Sequence, residues 1–183
     1  LSITKPTYLD IGACHPAILN NTWTMYTHGS HGVLVEPNPV LCKILEQTRK
    51  RDVCLNVGVG EKPDTLDFYV MNAEMLSTFS SDEANKYARK GYSIERVDRV
   101  AVMPVNEIIS KYCGICPNFV SIDVEGLEMM ILRNFDFTSY RPEVFCIETY
   151  SYANDAKEVF EHELVVQGLK EKLKPYGERR VSP

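Results

Sequence analysis

Short apolar runs alternate with segments of helical periodicity along the chain. Apolar runs of strand length predict strands, at 8–11, 32–38, 53–59, 65–71, 99–105, 119–124 and 143–149. Apolar residues that recur every three or four positions predict helices, at 40–50, 83–89, 106–112, 127–134 and 155–174. Nearly continuous apolar strands that are separated by helices are typical of a parallel sheet covered on both faces. The pattern therefore predicts an α/β fold with a doubly wound, mostly parallel sheet.

The spatial order of the strands decides where a ligand can bind. If the buried strands have the order 3-2-1-4-5, successive strands are added first on one side of the strand at 8–11 and then on the other. The order then reverses between the strands at 8–11 and 119–124. Ligands of such sheets bind beyond the carboxyl ends of the strands, at this switch point. The turn that follows the first strand, at 10–12, then lies beside Asp123, although the two are far apart in the sequence.

The composition is that of an ordinary globular protein, with 44% apolar and 25% charged residues among 183. A formal net charge of −5 disfavours nucleic acid and anionic membranes as partners, because both bind basic surfaces. No stretch approaches the ~18 uncharged apolar residues that a membrane helix needs. We expect one domain over 1–183, with a core at 7–150 and a C-terminal helix and partial strand in 151–183.

The six cysteines are scattered through the chain, and several lie in apolar runs. This distribution is typical of buried reduced thiols and not of a disulfide framework. It predicts a cytoplasmic protein.

The loop after the first strand has the features of a nucleoside-binding turn. Gly12 permits a tight turn and a close backbone approach, and Glu36 ends the second strand. An acidic side chain at this place can bind both hydroxyls of a ribose. Dinucleotide sites also need a second glycine against the pyrophosphate, and that position is Cys14 in this chain. S-adenosylmethionine has no pyrophosphate and is the favoured cofactor.

Other interpretations of the same residues stay open. A nicotinamide-linked (NAD) oxidoreductase of similar topology would use the same turn and the same acidic residue, although Cys14 argues against it. A non-catalytic nucleoside-binding module is a second alternative. A strand, glycine and helix can also form such a turn with no ligand at all.

An ordered set of segments resembles the FkbM-type S-adenosylmethionine-dependent methyltransferases. These segments follow the family's order from about residue 7 to residue 150: YLDIGACHP, NNTWTMY, GVLVEPNP, VGVGE, TLDFYVM, LSTFS, VSIDVEGLE and CIET. The resemblance implies a class I, Rossmann-like methyltransferase fold and methylation of a hydroxyl, often on a sugar or a polyketide-like metabolite. It implies cofactor-side positions at Asp10, Gly12, Ala13, Glu36, Asn38 and the turn from Asn56 to Gly58. It also implies that Ser77, Thr78 and the segment 123–126 lie at the pocket. We expect Ser77 and Thr78 to bind the cofactor.

The resemblance weakens at the end of the chain. Class I methyltransferases close their sheet with an antiparallel pair after the last helix. Residues 176–181 can start that pair, but the sequence stops at Pro183, so we expect the C-terminal antiparallel strands to be incomplete. An unpaired edge can pair with another chain, and a homodimer through this edge is therefore among the expected partners.

Methylation of a hydroxyl needs a group that takes the proton. Asp123 ends the strand nearest the cofactor and is predicted to act as the base or to orient the acceptor. Glu125 shares its face if the strand stays extended, and His15, in the first loop, is a third catalytic candidate. The two carboxylates could instead share a hard cation such as Mg²⁺, but no metal is expected. The alternative interpretation is that they cap the following helix.

Several further candidates have both a functional and a structural interpretation. Glu148 ends the last strand and is predicted to bind hydroxyls of a small-molecule or glycan acceptor, or else to cap a loop. Asn38 either approaches the nucleoside or caps the helix at 40–50. His15, Ser77 and Thr78 are also explained as ordinary loop residues.

Overall fold

The structure, a computed structural model, describes residues 3–148. Its strands are Tyr8–Ile11 (β1), Gly32–Val35 (β2), Val53–Leu55 (β3), Gly58–Val59 (β4), Asp64–Met71 (β5), Ile94–Met103 (β6), Phe119–Ile122 (β7) and Val144–Ile147 (β8). Five of them form a parallel sheet in the order β3-β2-β1-β7-β8. The other three form a smaller sheet in the order β4-β6-β5. The predicted α/β fold class and the order 3-2-1-4-5 of the parallel strands are confirmed.

The α-helices of the described residues lie between these strands. They are Trp23–Thr27 (α1), Pro39–Thr48 (α2), Ser81–Arg89 (α3), Val105–Ile108 (α4) and Glu128–Asn134 (α5). A turn of π-helix at Ile109–Cys113 continues α4, and a 3₁₀ turn at Glu74–Leu76 precedes α3. The helix predicted at 106–112 is therefore an α-helical turn followed by a π-helical one.

Local capping explains where two of the helices begin. The Asn38 side chain accepts a hydrogen bond from the Val40 amide at 3.0 Å, and Pro39 occupies the first helical position of α2. The structural interpretation of Asn38 as a cap is thus the one that the structure shows. Helix α3 begins after Ser80, whose hydroxyl accepts from the Glu83 amide at 3.2 Å.

The apolar run predicted as one strand at 53–59 is split between the two sheets. Strand β3 pairs in parallel with β2, whereas β4 pairs with β6. Asn56 lies at the break and donates from its side-chain amide to the carbonyls of Glu36 and Pro37, each at 2.9 Å. These contacts are between segments distant in sequence, so the period of apolar residues did not reveal them.

Strand β1 is buried along its whole length and lies at the centre of the larger sheet. Ile11, its last residue, is opposite Val35 in β2 and Ile122 in β7. The carboxyl ends of these three parallel strands consequently meet at one edge of the sheet.

A fully buried arginine fixes the loop that follows β1. The Arg49 guanidinium forms an ion pair with Asp52 at 2.9 Å and donates to the Pro16 carbonyl at 3.0 Å. It also donates to the hydroxyls of Tyr8 at 2.8 Å and Thr22 at 3.1 Å. A charge this deep is tolerated only when it is paired and hydrogen-bonded. Arg49 therefore connects the end of α2 to the start of β1 and to the first loop.

Residues 149–183 are outside the described part of the chain. The helix predicted at 155–174, the partial strand after it and the incomplete antiparallel pair all lie there, and the single domain over 1–183 stays a prediction. Within residues 3–148, no helix is both long enough and apolar enough to cross a membrane.

Candidate active site

The turn after β1 and the loop after β7 touch through their backbones. Gly12 has a φ of +84°, and its amide donates to the Val35 carbonyl at 3.0 Å. A Cβ at this position would lie 1.7 Å from the Asp123 carbonyl oxygen. The Asp123 amide in turn donates to the Ile11 carbonyl at 2.9 Å. The structure therefore brings together the two segments that the sequence predicted to meet.

A pocket opens at this junction, at the switch point of the sheet. Six of the predicted site residues line it: Gly12, Glu36, Gly58, Ser77, Asp123 and Glu125. Its apolar wall includes Val59, Phe68, Phe79, Leu127 and Ile131. Such an apolar pocket with a few convergent polar groups is typical of a small-molecule site.

Glu36 is held at the pocket wall by two backbone amides. Its Oε2 accepts from the Cys14 amide and its Oε1 from the Asn38 amide, each at 2.8 Å. Burial raises the pKa of Glu36 to about 7, although the hydrogen bonds from the two amides oppose this shift. Each carboxylate oxygen has a second lone pair for a ligand hydroxyl.

Glu125 reaches the pocket by a route that the sequence did not predict. Its φ is +54°, so the condition of an extended strand, under which Glu125 would share the face of Asp123, is not met. Its carboxylate accepts from the Tyr87 hydroxyl, and its carbonyl accepts from the Thr78 hydroxyl at 2.9 Å. Burial raises the pKa of Glu125 to about 8. The Gly126 that follows, with a φ of +102°, is the local sequence signal for a sharp bend here.

No side chain caps the first turn of α5, and the carboxylate of Glu128, its first residue, binds amides of the loop before the helix. Glu128 accepts from the Val124 amide at 3.0 Å and from the Gly126 amide at 3.1 Å. The alternative interpretation of Asp123 and Glu125 as the helix caps is therefore not what the structure shows. Both side chains line the pocket instead.

Three carboxylates cluster beside the pocket. Oxygens of Asp123, Glu125 and Glu148 lie within 4.8 Å of one another. Burial, followed by the hydrogen bond and the charge of Asp123, raises the pKa of Glu148. Oxygens at this spacing can surround a hard cation or hydroxyl groups of a ligand. That no metal takes part stays a prediction, as does the binding of the acceptor by Glu148.

Asp10 and Ala13 do not line the pocket. The Asp10 carboxylate accepts from the Thr22 hydroxyl at 2.7 Å and from the Asn20 amide group at 3.2 Å. Burial raises the pKa of Asp10 to about 6. Ala13 is buried in an apolar cluster with Tyr8. In this structure both residues shape the first loop, and a direct contact with a cofactor stays a prediction.

Three other predicted residues, His15, Thr78 and Asn56, make hydrogen bonds with the protein itself. The His15 Nδ1 accepts from the amides of Ala17 and Ile18, as a turn residue does. Thr78 donates to the Glu125 carbonyl, and Asn56 bridges the two carbonyls after β2. None of the three lines the pocket formed by the described residues. Thr78 and Asn56 bind the backbone of two residues that do, Glu125 and Glu36.

Two lining residues carry a charge or a thiol that the sequence analysis did not assign to the site. Glu74 lies in the 3₁₀ turn after β5, in a polar stretch with no local signal of function. Cys14 has a φ of +47°, and burial, with the charges of Glu36 and Glu74, raises the pKa of its thiol to about 12. All six cysteines are free thiols.

Residues 10–172 match the family model of the methyltransferase FkbM domain. The chain belongs to the FkbM methyltransferase family. This match extends over most of the sequence and includes every predicted site residue. None of the curated proteins matches the chain.

A solved structure shares the fold of this chain. The crystal structure of the methyltransferase FkbM from Methylobacillus flagellatus KT superposes with a TM-score of 0.54 at 16% sequence identity. The match covers 93% of this chain and 38% of the other chain. At this identity the likeness concerns the fold, and the chain spans well under half of its structural relative.

The pocket between the turn after β1 and the loop after β7 is acidic. Four carboxylate side chains line it: Glu36, Glu74, Asp123 and Glu125. No Lys, Arg or His is among the lining residues that the structure describes. A pocket of this charge favours a cation and opposes a pyrophosphate.

Replacement of Gly12 tests the backbone contact on which the pocket depends. We expect Gly12→Ala to lower the free energy of unfolding by about 3 kcal/mol, of which about 1–2 kcal/mol comes from the left-handed backbone and the rest from the overlap with Asp123. Chemical denaturation measures the loss.

Gly91→Ala is the matched control for that substitution. Gly91 has a φ of +98°, but no atom lies within 4 Å of an added Cβ. The free energy of unfolding of Gly91→Ala should fall only by the cost of the left-handed backbone, about 1–2 kcal/mol. Equal losses in the two variants would contradict the role of the Gly12 contact.

Proposed function

We propose that this chain transfers a methyl group from S-adenosylmethionine to a hydroxyl of a sugar or a similar small hydroxylated acceptor. The observation that carries the proposal is the acidic pocket where the loops after β1 and β7 meet, in a chain of the FkbM methyltransferase family. The resemblance in sequence supports the hydroxyl acceptor, and the pocket supports the cofactor.

The donor groups of the pocket fit this cofactor. S-adenosylmethionine has a sulfonium and an ammonium group against a single carboxylate, and its ribose has two hydroxyl donors. Glu36, at the end of β2, offers carboxylate lone pairs for ribose hydroxyls. The other lining carboxylates offer negative charge to the cationic part. The backbone of Gly12 can approach a ligand closely because it has no side chain.

The chain's residues supply position and proton transfer. When bound, S-adenosylmethionine supplies a methyl group on a positively charged sulfur. Asp123 lines the pocket directly after β7. We propose that its carboxylate is the base that takes the proton of the acceptor hydroxyl. Glu125 and Glu148 lie close enough to Asp123 to accept from neighbouring hydroxyls of the same acceptor. Alignment of donor and acceptor, with water excluded by the apolar wall, contributes most of the rate.

The same charge argues against the NAD-linked alternative. A dinucleotide brings two phosphate charges to the turn after β1. The lining residues that are described offer no cationic side chain to them, and the position of the second glycine holds Cys14. A non-catalytic nucleoside-binding module differs from the enzyme only in lacking methyl transfer, and the experiments below separate them.

The remaining partners follow from the same reasoning. An acidic pocket fits a small-molecule or glycan acceptor better than nucleic acid. Strand β8 is at one end of the larger sheet, and its outer edge pairs with no strand of residues 3–148; we propose this edge as the contact of a homodimer. The free thiols are what a reducing compartment preserves, and we propose the cytoplasm as the location.

The affinity for the cofactor depends on Glu36 in this proposal. Glu36→Ala removes the acceptor of the ribose hydroxyls and of the Cys14 amide, so we expect the dissociation constant for S-adenosylmethionine to rise at least about tenfold. Isothermal titration calorimetry measures it. Glu46→Ala, on the exposed side of α2, is the control and should bind as the wild type does. Unchanged binding by Glu36→Ala would remove Glu36 from the site.

Methyl transfer itself depends on Asp123. With radiolabelled S-adenosylmethionine and a panel of monosaccharides and glycans, we expect transfer to a hydroxyl by the wild type. Asp123→Asn should reduce the rate by roughly 10²-fold or more, since a positioned base contributes about that factor. The control is Asp64→Asn at an exposed position of β5. Cofactor binding without transfer to any acceptor of the panel would favour the non-catalytic module.

Binding of a cation should become tighter as the pH rises through neutrality. Glu36 and Glu125 have raised pKa values of about 7 and about 8 in the free protein. A bound cation stabilises the carboxylate forms and lowers both pKa values, so binding releases protons. Between pH 5.5 and 7.5 we expect the affinity for S-adenosylmethionine to rise several-fold, with proton release seen by calorimetry in buffers of different ionisation enthalpy. A flat or falling affinity over this interval would contradict the acidic pocket as the cofactor site.

A further inference from the structure

Tyr87 lies behind the pocket and contacts one of its carboxylates. The ring is fully buried in an apolar cluster with Met71, Leu76 and Ala84, and it comes from α3. Its hydroxyl donates to the Glu125 carboxylate. Tyr87 is not among the lining residues of the pocket, and its hydrogen bond to Glu125 connects it to one that is.

The backbone of Glu125 is held from the same direction. Its left-handed φ of +54° costs about 1–2 kcal/mol in a residue with a side chain. The buried Thr78 hydroxyl donates to the Glu125 carbonyl at 2.9 Å, and Glu83 of α3 lies against Gly126. Such a strained conformation persists only where the surroundings determine it, and it is common at functional sites. The segment from Thr78 to Tyr87 therefore holds both the backbone carbonyl and the side-chain carboxylate of Glu125.

The side chain of Glu125 is desolvated in this position. Only 7% of the residue is exposed, yet it lines the pocket beside Asp123. Burial disfavours a charged carboxylate, and the hydrogen bond from Tyr87 opposes that effect by stabilising the charged form. Without the hydroxyl, Glu125 would lose both a fixed direction and a stabilising partner for its charge.

We propose that Tyr87 is a positioning residue for recognition of the positively charged cofactor: its hydroxyl holds the Glu125 carboxylate at the pocket wall, where the negative charge favours S-adenosylmethionine over its neutral-sulfur product. The inference rests on the proposed function. It adds a consequence for turnover, because a site that prefers the sulfonium releases S-adenosylhomocysteine more readily. The strength of that preference is set by a residue that touches neither ligand.

The test compares the binding of S-adenosylmethionine and S-adenosylhomocysteine to the variant Tyr87→Phe. This variant keeps the ring and removes the hydroxyl. Calorimetry measures the dissociation constants of S-adenosylmethionine and S-adenosylhomocysteine. We expect the constant for S-adenosylmethionine to rise about tenfold and that for S-adenosylhomocysteine to change less than about twofold. A merely structural role would weaken both equally, so the ratio of the constants reports on charge. Glu125→Gln should give the same change in the ratio.

A double mutant shows whether the two residues act together. Because Tyr87 works through Glu125, Tyr87→Phe combined with Glu125→Gln should have the ratio of Glu125→Gln alone. Tyr92→Phe is the matched control, since its exposed ring packs edge-on against Tyr87 with centroids 6.3 Å apart. Its ratio should equal that of the wild type.

Thr78→Val is a second variant that leaves the Tyr87 ring and hydroxyl in place. It removes the hydroxyl that holds the Glu125 carbonyl, so we expect it to shift the ratio in the same direction as Tyr87→Phe.

Three outcomes would overturn the inference. An unchanged ratio in Tyr87→Phe, with the wild type binding S-adenosylmethionine, rejects the role of Tyr87 and leaves the proposed function intact. Independent, additive effects of the Tyr87 and Glu125 substitutions on the ratio also reject it. A wild-type protein that binds neither nucleoside rejects the proposed function and this inference together.

Discussion

The close approach of the Gly12 and Asp123 backbones is the constraint on which the arrangement of the site depends. Strands β1 and β7 are parallel neighbours, so the segments that leave them emerge side by side. Any side chain at Gly12 would overlap the Asp123 carbonyl, and its absence lets the first turn pass directly beneath the loop after β7. From that contact the turn continues to the Cys14 amide, which holds Glu36. The loop after β7 bends in the other direction and brings Glu125 to the same pocket.

Burial of several carboxylates in one place has an energetic cost that gives the site its chemical preference. Desolvation raises the pKa values of Glu36 and Glu125 to about 7 and about 8, and it also raises that of Glu148. Protons therefore compete with an entering positive charge for these carboxylates near neutral pH. The buried Arg49 is held by partners of its own around the first loop. The structure thus separates the buried cation that fixes the loop from the acidic pocket that receives the ligand.

The sequence predicted the parts of the molecule that depend on local pattern. Continuous apolar runs predicted strands at 8–11 and 119–124, and the second of these ends at Ile122 in the structure. Glu36 was predicted from its place at the end of the second apolar run. The bend at Glu125 was not predicted, because its left-handed conformation depends on hydrogen bonds from Thr78 and Tyr87, which are distant in the chain. A period-2 pattern carries no information on such contacts.

Two further features were beyond reach of the sequence for related reasons. Arg49 near the end of a helix is expected to be solvated, and only the fold shows that the aromatic rings of Tyr8, Trp23 and Tyr26 cover it. Asp10 is equally well placed in the sequence for a ligand or for the loop. The geometry turns it towards Thr22, where it accepts a short hydrogen bond.

The position of the nucleoside can be seen in a crystal structure of the protein with S-adenosylhomocysteine. We expect the nucleoside to occupy the pocket between the turn after β1 and the loop after β7. The ribose hydroxyls should lie within hydrogen-bond distance of the Glu36 carboxylate, and the sulfur should face the segment 123–125. A nucleoside bound elsewhere, or one whose sulfur faces away from that segment, would contradict this expectation.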